Sequence, residues 1–444
     1  MNEQYHRRNF LKIGAAVSLG GIAFSGQAAR DEMAPASFVA PPLDVVRVGY
    51  VGVGGQGSGH VRNLLNIEGV EIRAVCDIVE AKVERIQDWV VKAGQARPDG
   101  YSRGETDFLR LCDRDDIDLV YTATPWEWHV PVCTAAMERG KHAATEVPAA
   151  VTLDECWQLV ETAEKTRRHC VMMENCCYGR SELMVLHMVR KGLFGELLHG
   201  EAGYMHDLRR SKLRDRDGQN WRAKHSASRN GNLYPTHGLG PIAQCMNINR
   251  GDRFDFLVSM STKTCGLPLL AKELFGPDHP MVKGEYALGD VNSSLIRTVN
   301  GCTLIVQHDC DTPRPYSRIN LVQGTKGIFQ GYPDRIYLEG ITPGHEFEPA
   351  DPYFEKYEHP LWKNVIEKAK GAGHGGMDYI EDYRLVQALR TGSPTDMDVY
   401  DAADWSVVSA LSEESVAHRS RPVDFPDFTR GAWKIREPLG ILEA

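Results

Sequence analysis

What the chain lacks narrows its class first. It has no basic surplus: 51 Lys and Arg against 60 Asp and Glu give a formal charge of -9, so nucleic acid is not an expected ligand. Its one basic cluster, Arg209-Arg210-Ser211-Lys212 with Arg214, is interrupted by Asp215 and Asp217 and reads as a solvated or pocket-lining loop. It has no disulfide framework. The eleven cysteines are odd in number, Cys176 adjoins Cys177, and others such as Cys76, Cys133, Cys302 and Cys310 lie in apolar runs, which is the pattern of buried thiols. No cysteine pair has zinc-knuckle spacing with further ligands behind it, so no metal is expected. Internal repeats and low-complexity tracts are absent, and the apolar run Ile13 to Phe24 is too short to span a bilayer comfortably.

With 42% hydrophobic and 25% charged residues the composition is that of an ordinary globular protein. A length of 444 residues exceeds one ordinary core, and two domains are expected. The N-terminal segment Arg7-Arg8-Asn9-Phe10-Leu11-Lys12 precedes a Gly/Ala-rich apolar run, with small residues around Ala28 and Ala29 suited to a peptidase. It resembles a twin-arginine export signal, which implies the twin-arginine export machinery as a partner and a bacterial periplasmic or extracellular mature protein. Residues 1–30 are assigned to this signal and 31–42 to a flexible Pro/Ala-rich leader.

The richest signal follows. Val45 to Tyr50 reads as a buried strand, Gly52-Val53-Gly54-Gly55-Gln56-Gly57 as a glycine turn, and Glu71 to Asp77 as a second strand ending on a carboxylate. A dinucleotide needs this order. Glycines such as Gly52, Gly54 and Gly57 let the backbone approach the pyrophosphate, a helix N-terminus meets its charge, and an acid accepts from the ribose hydroxyls. An acid at Asp77 also repels a 2′-phosphate, so NAD is expected rather than NADP. Further strands at Asp118 to Thr124, His142 to Glu146 and Cys170 to Glu174 alternate with helices at Val130 to Glu138 and Leu153 to Arg168. The expectation is an α/β Rossmann-type parallel-sheet domain over residues 43–175.

Residues 176–444 change character. A helix at Ser181 to Arg190 is followed by alternating strands at Leu198 to His206, Ser293 to Val299 and Cys302 to Asp309, the last two joined by an Asn300-Gly301 hairpin turn. Arg318 to Gln323 and Gly327 to Gln330 form another hairpin around Gly324, and Arg335 to Leu338 adds a strand. These predict an α+β domain with a largely antiparallel open sheet, a surface through which copies of the chain could associate. The helix Met377 to Leu389 is expected to pack back on this sheet or on the first domain, while Gly266 to Gly289 and Thr342 to Tyr357 read as loops.

Three clusters follow the C-terminal ends of parallel strands, where such sheets bind ligands. Trp126 and His129 in Thr124-Pro125-Trp126-Glu127-Trp128-His129 are placed to enclose the nicotinamide end, or to anchor a structural turn. Glu146-Val147-Pro148 is the second cluster. In the third, Asn175-Cys176-Cys177-Tyr178, Asn175 suits the nicotinamide ribose or carboxamide, and Tyr178 is either a reacting phenol or an interface aromatic. In the second domain Tyr234-Pro235-Thr236-His237 is the most compact polar cluster, read as a site or as a helix cap with an exposed histidine. Tyr204, Arg222 and Tyr316 offer further donors suited to a sugar, and His374 to Asp378 has no fixed position.

Together Trp126-Glu127-Trp128-His129, Glu146-Val147-Pro148, Asn175 and Tyr234-Pro235-Thr236-His237 resemble the NAD-dependent glycosidases of glycoside hydrolase family 109, within the glucose-fructose oxidoreductase/inositol dehydrogenase/MocA superfamily. Ordinary superfamily members carry a lysine where this chain has Val147, and an Asp-x-x-x-His pair that would fall near Pro235 and Leu239. The resemblance implies NAD contacts around Gln56, Gly57, Asp77, Trp126, His129, Glu146, Val147 and Asn175, and sugar contacts at Tyr204, Arg222, Tyr234, His237 and Tyr316. It also implies an α-N-acetylgalactosaminidase acting on blood group A type oligosaccharides or glycoconjugates, with tightly bound, recycled NAD. The implied route is C3 oxidation, elimination across C1–C2, water addition and re-reduction, with retention, outside the paired-carboxylate scheme. His237 and Tyr234 are assigned to the proton of the oxidised hydroxyl and Tyr178 to the C2 proton. An exported NAD-dependent sugar oxidoreductase is the alternative, and a non-catalytic sugar-binding protein the third reading.

Overall fold

The computed structural model describes residues 38–214, 220–438 and 441. Six strands form the first sheet: β1 Val46–Val51, β2 Val70–Cys76, β3 Asp99–Tyr101, β4 Leu119–Thr122, β5 His142–Thr145 and β6 Cys170–Met172. All pair in parallel, in the order β3-β2-β1-β4-β5-β6. The cause is in the residues. β4, β5 and β6 are buried along their whole length, as strands covered on both faces must be. The order reverses beside β1, so the loops after β1 and β4 flank the crevice where such sheets take ligands. The Leu153–Thr166 helix is started by a capping box, Thr152 accepting from the Glu155 amide while the Glu155 side chain returns to Thr152.

The second sheet holds nine strands: β7 Leu197–Met205, β8 Phe254–Ser261, β9 Val291–Thr298, β10 Thr303–Asp309, β11 Leu321–Gly324, β12 Gly327–Gln330, β13 Arg335–Leu338, β14 Glu348–Pro349 and β15 Val423–Asp424. They run in the order β14-β13-β12-β11-β7-β10-β9-β8-β15, antiparallel except for β7 with β10. β9 and β10 pair Arg297 with Thr303 around the expected turn, where Gly301 takes φ +98. Three segments read as strand or loop differ. β11 begins only at Leu321, because Ile319 and Asn320 adopt left-handed φ of 65 and 52. The stretch Gly266 to Gly289 contains helices Gly266–Phe275 and Pro280–Lys283, and Thr342 to Tyr357 ends in helix Asp351–Tyr357.

The helix Met377–Thr391 reaches the first sheet's Gly55–Leu65 helix through Asp382, which bonds His60 and Asn63. Its neighbour Val399–Ala417 packs between the Leu153–Thr166 helix and β8, with Trp405 fully buried. The export signal lies outside the described residues. The leader reading is corrected at its end: Phe38 and Ala40 are buried, Phe38 against Tyr400 at 5.8 Å, because the apolar ring finds a pocket there. All eleven cysteines are free, nine of them buried, as the composition indicated. Among the described residues no helix is long and apolar enough to cross a membrane.

Candidate active site

The glycine turn is built by close approach. Gly52 takes φ +84, and a side-chain carbon there would sit 2.9 Å from the Ala123 carbonyl; at Gly57 it would lie 2.0 Å from the Gly52 oxygen. Gly54 and Gly55 face open space, and Gly54 caps the Gly55–Leu65 helix without any side-chain bond. That leaves the first amides of the helix free to meet an anion. Asp77 sits at the end of β2 and accepts from the Val53 and Val79 amides, both at 3.0 Å, which ties the acid to the turn and leaves lone pairs for ribose hydroxyls. The turn, open helix end and acid fit a dinucleotide. A Gly57→Ala chain is expected to lose bound nucleotide and about 1–3 kcal/mol of stability through overpacking, read by nucleotide content and a lowered melting midpoint.

Behind the turn lies a buried polar network. His60 Nε2 is 2.7 Å from Glu146 Oε1 and its Nδ1 2.9 Å from Asp382 Oδ2. Burial disfavours the His60 cation, but Asp382 and Glu146 outweigh it and hold the imidazolium well above its ordinary range. Asp378 accepts from Asn175 Nδ2 at 2.7 Å and Gln56 Nε2 at 3.2 Å, with His374 Nδ1 2.9 Å away. Burial would raise the Asp378 pKa, yet His374, His60 and Asn175 pull it down to about 2. Gln56, Glu146 and Asn175 thus meet beside the glycine turn. Val147 is buried and its amide lies 3.2 Å from Glu146 Oε2. The His129 ring nitrogens lie 2.8 Å from the Pro148 carbonyl and 2.9 Å from the Thr124 carbonyl, so the side chain braces the loops after β4 and β5.

The residues expected above to contact a sugar gather as a second cluster. The Tyr204 and Tyr234 rings lie 4.4 Å apart, and His237 is 5.3 and 4.8 Å from them. Arg222 stands over Trp221 at 4.4 Å, Trp126 at 5.2 Å and Tyr234 at 5.6 Å. Trp126 packs among these rings, 5.7 Å from Tyr234. Tyr316 closes the group, 6.2 Å from Tyr204. Burial pushes the phenols of Tyr204 and Tyr234 up, so both stay protonated and act as donors. Of the basic loop, Lys212 is buried in an ion pair with Asp311 at 2.9 Å and lines the same pocket as Tyr204, Arg222 and Tyr234.

Tyr178 does not join this cluster. Its hydroxyl donates to Asp396 at 3.0 Å, a carboxylate also bound by Arg384, and burial raises its pKa well above the ordinary value. The assignment of the C2 proton to Tyr178 is thereby corrected: the phenol is committed to a buried ion pair and is a poor base. Sequence reading missed Glu174, taken as a strand end. It is fully buried, and its Oε1 accepts from His237 Nδ1 at 2.7 Å and from the Cys176 amide at 3.1 Å. Burial opposes its charge, but His237, Thr236 and the Cys176 amide keep the carboxyl ionised. His206 was also missed, read only as a strand residue; its Nδ1 lies 3.0 Å from the Tyr204 hydroxyl, and burial lowers its pKa, leaving a neutral imidazole. Among the described residues Glu174, Cys176 and His237 bring candidate metal-ligand atoms within 4.8 Å, but these groups are bonded to one another and to Asn175.

A family model described as Glycosyl hydrolase 109, C-terminal domain, matches residues 178–435, and one for the oxidoreductase family, NAD-binding Rossmann fold, matches residues 46–174. A glycosyl hydrolase family 109 protein of Shewanella baltica is 50% identical over 455 residues, covering 99% of each chain. The chain belongs to glycosyl hydrolase family 109. A second relative, named alpha-N-acetylgalactosaminidase, from Shewanella oneidensis, is 50% identical over 456 residues and 99% of each chain. Solved structures show the fold. An NAD binding oxidoreductase from Klebsiella pneumoniae has a TM-score of 0.67 at 18% identity, covering 86% of this chain and 100% of that one. Levoglucosan dehydrogenase, in complex with NADH and levoglucosan, has a TM-score of 0.65 at 19% identity, covering 86% and 100%. The family 109 chain is thus a glycoside hydrolase with an NAD-binding Rossmann domain.

Proposed function

We propose that this family 109 enzyme hydrolyses terminal α-linked N-acetylgalactosamine from oligosaccharides, with NAD held tightly and recycled. One observation carries the reading. Consecutive residues after β6 serve the two halves: Glu174 holds His237 among the sugar-side rings, and Asn175 bonds Asp378, which also takes Gln56 of the glycine turn. The name of the Shewanella oneidensis relative supports the substrate. Asp378 supports tight retention, since it links the turn, the post-β6 segment and the Gly373–Gly376 loop that carries His374.

Bound NAD would supply a reversible hydride acceptor at C3 of the sugar, so that a ketone is present while the glycosidic bond breaks. His237, oriented by the ionised Glu174, takes the proton of the C3 hydroxyl. Tyr234 and Tyr204 donate hydrogen bonds to sugar oxygens, and a developing enolate is stabilised by them and by Arg222. The C3 carbonyl acidifies the C2 proton, which passes to His206, the neutral imidazole bonded to Tyr204. The glycosidic oxygen then leaves C1 with its bonding electrons and takes up a proton, water adds at C1, and the proton returns to C2; the C3 carbonyl would regain its hydride from the same bound nucleotide and its hydroxyl proton from His237. Net hydrolysis follows, with the anomeric configuration retained.

Hydrolysis of an N-acetylgalactosaminide in heavy water, without added NAD, tests this. Released sugar is expected to carry deuterium at C2 with no accumulation of reduced nucleotide. Stoichiometric reduced nucleotide and no sugar release would establish the oxidoreductase alternative. The Arg7-Arg8 segment supports export to the periplasm or beyond through the twin-arginine machinery. The exposed Met260 and Leu295 on the nine-stranded sheet support association of copies, measurable by light scattering.

A further inference from the structure

The rings of the sugar cluster continue outward as a file. Centroid separations are 4.4 Å from Tyr234 to Tyr204, 6.2 Å from Tyr204 to Tyr316, and 6.1 Å from Tyr316 to Tyr332. Exposure rises along it, from 6 and 7% to 37 and 40%. Tyr332 stands in the turn between β12 and β13, and neither family resemblance nor motif singled it out. We infer that Tyr316 and Tyr332 form the subsite for the sugar to which the cleaved residue is attached, an inference that rests on the glycosidase reading above.

Three features support a binding role for this ring. Tyr332 adopts φ +57, an unfavourable backbone for a bulky side chain and one that is retained at ligand clamps. The pair is held from behind. The Arg318 guanidinium lies 5.8 Å from the Tyr316 ring and 5.6 Å from the Tyr332 ring, and its Nη1 donates to the Tyr316 hydroxyl at 3.2 Å. Arg318 is itself buried and ion-paired with Glu182, on the Arg180–Arg190 helix that follows the Asn175–Tyr178 segment. The platform is therefore fixed to the helix that directly follows the segment carrying Asn175.

The same pairing selects the ligand's chemistry. The Arg318 charge is met by Glu182, so the two rings present aromatic faces and phenolic hydroxyls, which suits a neutral pyranose. The two rings meet at 68°, so neither covers the other's face. A sugar ring can lay its C–H face on one phenol and bond a hydroxyl to the other.

The test compares two substrates in one protein: methyl α-N-acetylgalactosaminide, with no second sugar, and a neutral trisaccharide in which the same residue is linked to galactose. For Tyr332→Ala, kcat/KM on the trisaccharide is expected to fall about tenfold more than on the methyl glycoside, through KM, the size of one aromatic contact. Tyr332→Phe keeps the face and is expected to retain most of the trisaccharide preference. Equal losses on both substrates, or none, would overturn the subsite while leaving the hydrolase intact. A wild-type enzyme that cleaves neither substrate overturns the parent reading and this one with it.

Discussion

Replacing Glu174 with Gln is expected to lower kcat about a hundredfold while bound nucleotide stays at its wild-type level. The wild-type carboxylate is ionised and has no proton to give, so His237 Nδ1 must donate to it. That fixes the tautomer and leaves Nε2 with the lone pair, the form a general base needs. Glutamine keeps the shape and an acceptor oxygen. It removes the charge that stabilises the imidazolium formed on proton transfer, and its amide can turn to donate to Nδ1 and select the wrong tautomer. His237→Ala removes the proposed base and is expected to cost about a thousandfold, within the range of general base catalysis. The two losses should not add, since they interrupt one device. Kinetics on an N-acetylgalactosaminide with nucleotide content measured in parallel decides the matter. A Glu174→Gln enzyme within twofold of wild-type kcat, with its nucleotide intact, would remove Glu174 from the mechanism.

That such a residue escaped notice shows where sequence reading stops. The parallel sheet was legible because β4 to β6 are uninterrupted apolar runs, and the glycine turn because Gly52 and Gly57 answer to steric demands within a few residues. The helix Val399–Ala417 left no such trace. Its Val399, Trp405, Val408 and Leu411 are buried on several sides, so no apolar stripe separates from a polar one. Phe254–Ser261 was lost for a related reason, its outward Met260 being as apolar as its inward Leu257. For the site, residue types around local turns were found, but partners were not. Glu174 meets His237 across 63 residues, His60 meets Asp382 across 322, and Tyr178 meets Asp396 across 218. The last of these turned a plausible catalytic phenol into part of an ion pair. Chemistry of this kind is set by the fold's closure, which periodicity does not encode.

Substituting Asp378 by Asn is expected to convert retained nucleotide into exchangeable nucleotide. One carboxylate here accepts from Gln56, Asn175 and His374, which come from the first helix of the Rossmann sheet, the segment after β6 and the loop before Met377–Thr391. An amide has a single oxygen, and its NH2 would face the donors it replaced. Each charge-assisted bond contributes about 1.5–3 kcal/mol, so losing two corresponds to at least about a hundredfold faster nucleotide release. Gly373 shows how tightly the loop is fitted, since a side-chain carbon there would lie 2.2 Å from Asp378 Oδ2. The contact has a defined pH window. Asp378 is depressed to about 2 in the fold, so its contribution is complete above its ordinary value near 3.8 and is lost as pH falls through about 2. His374 is raised by its bond to Asp378, so its share is complete below 6.5 and is lost as pH rises through the elevated folded value. Release should therefore quicken modestly on the alkaline side, since Gln56 and Asn175 remain bonded, and steeply only in strong acid. The alkaline limb should vanish in His374→Ala, a change at a half-exposed side chain that leaves the core packing alone. Nucleotide content after gel filtration, and displacement of bound nucleotide by labelled NAD across pH, measure both effects. An Asp378→Asn protein that stays stoichiometrically loaded and exchanges at the wild-type rate would show that retention is built elsewhere, in the glycine turn and Asp77 alone.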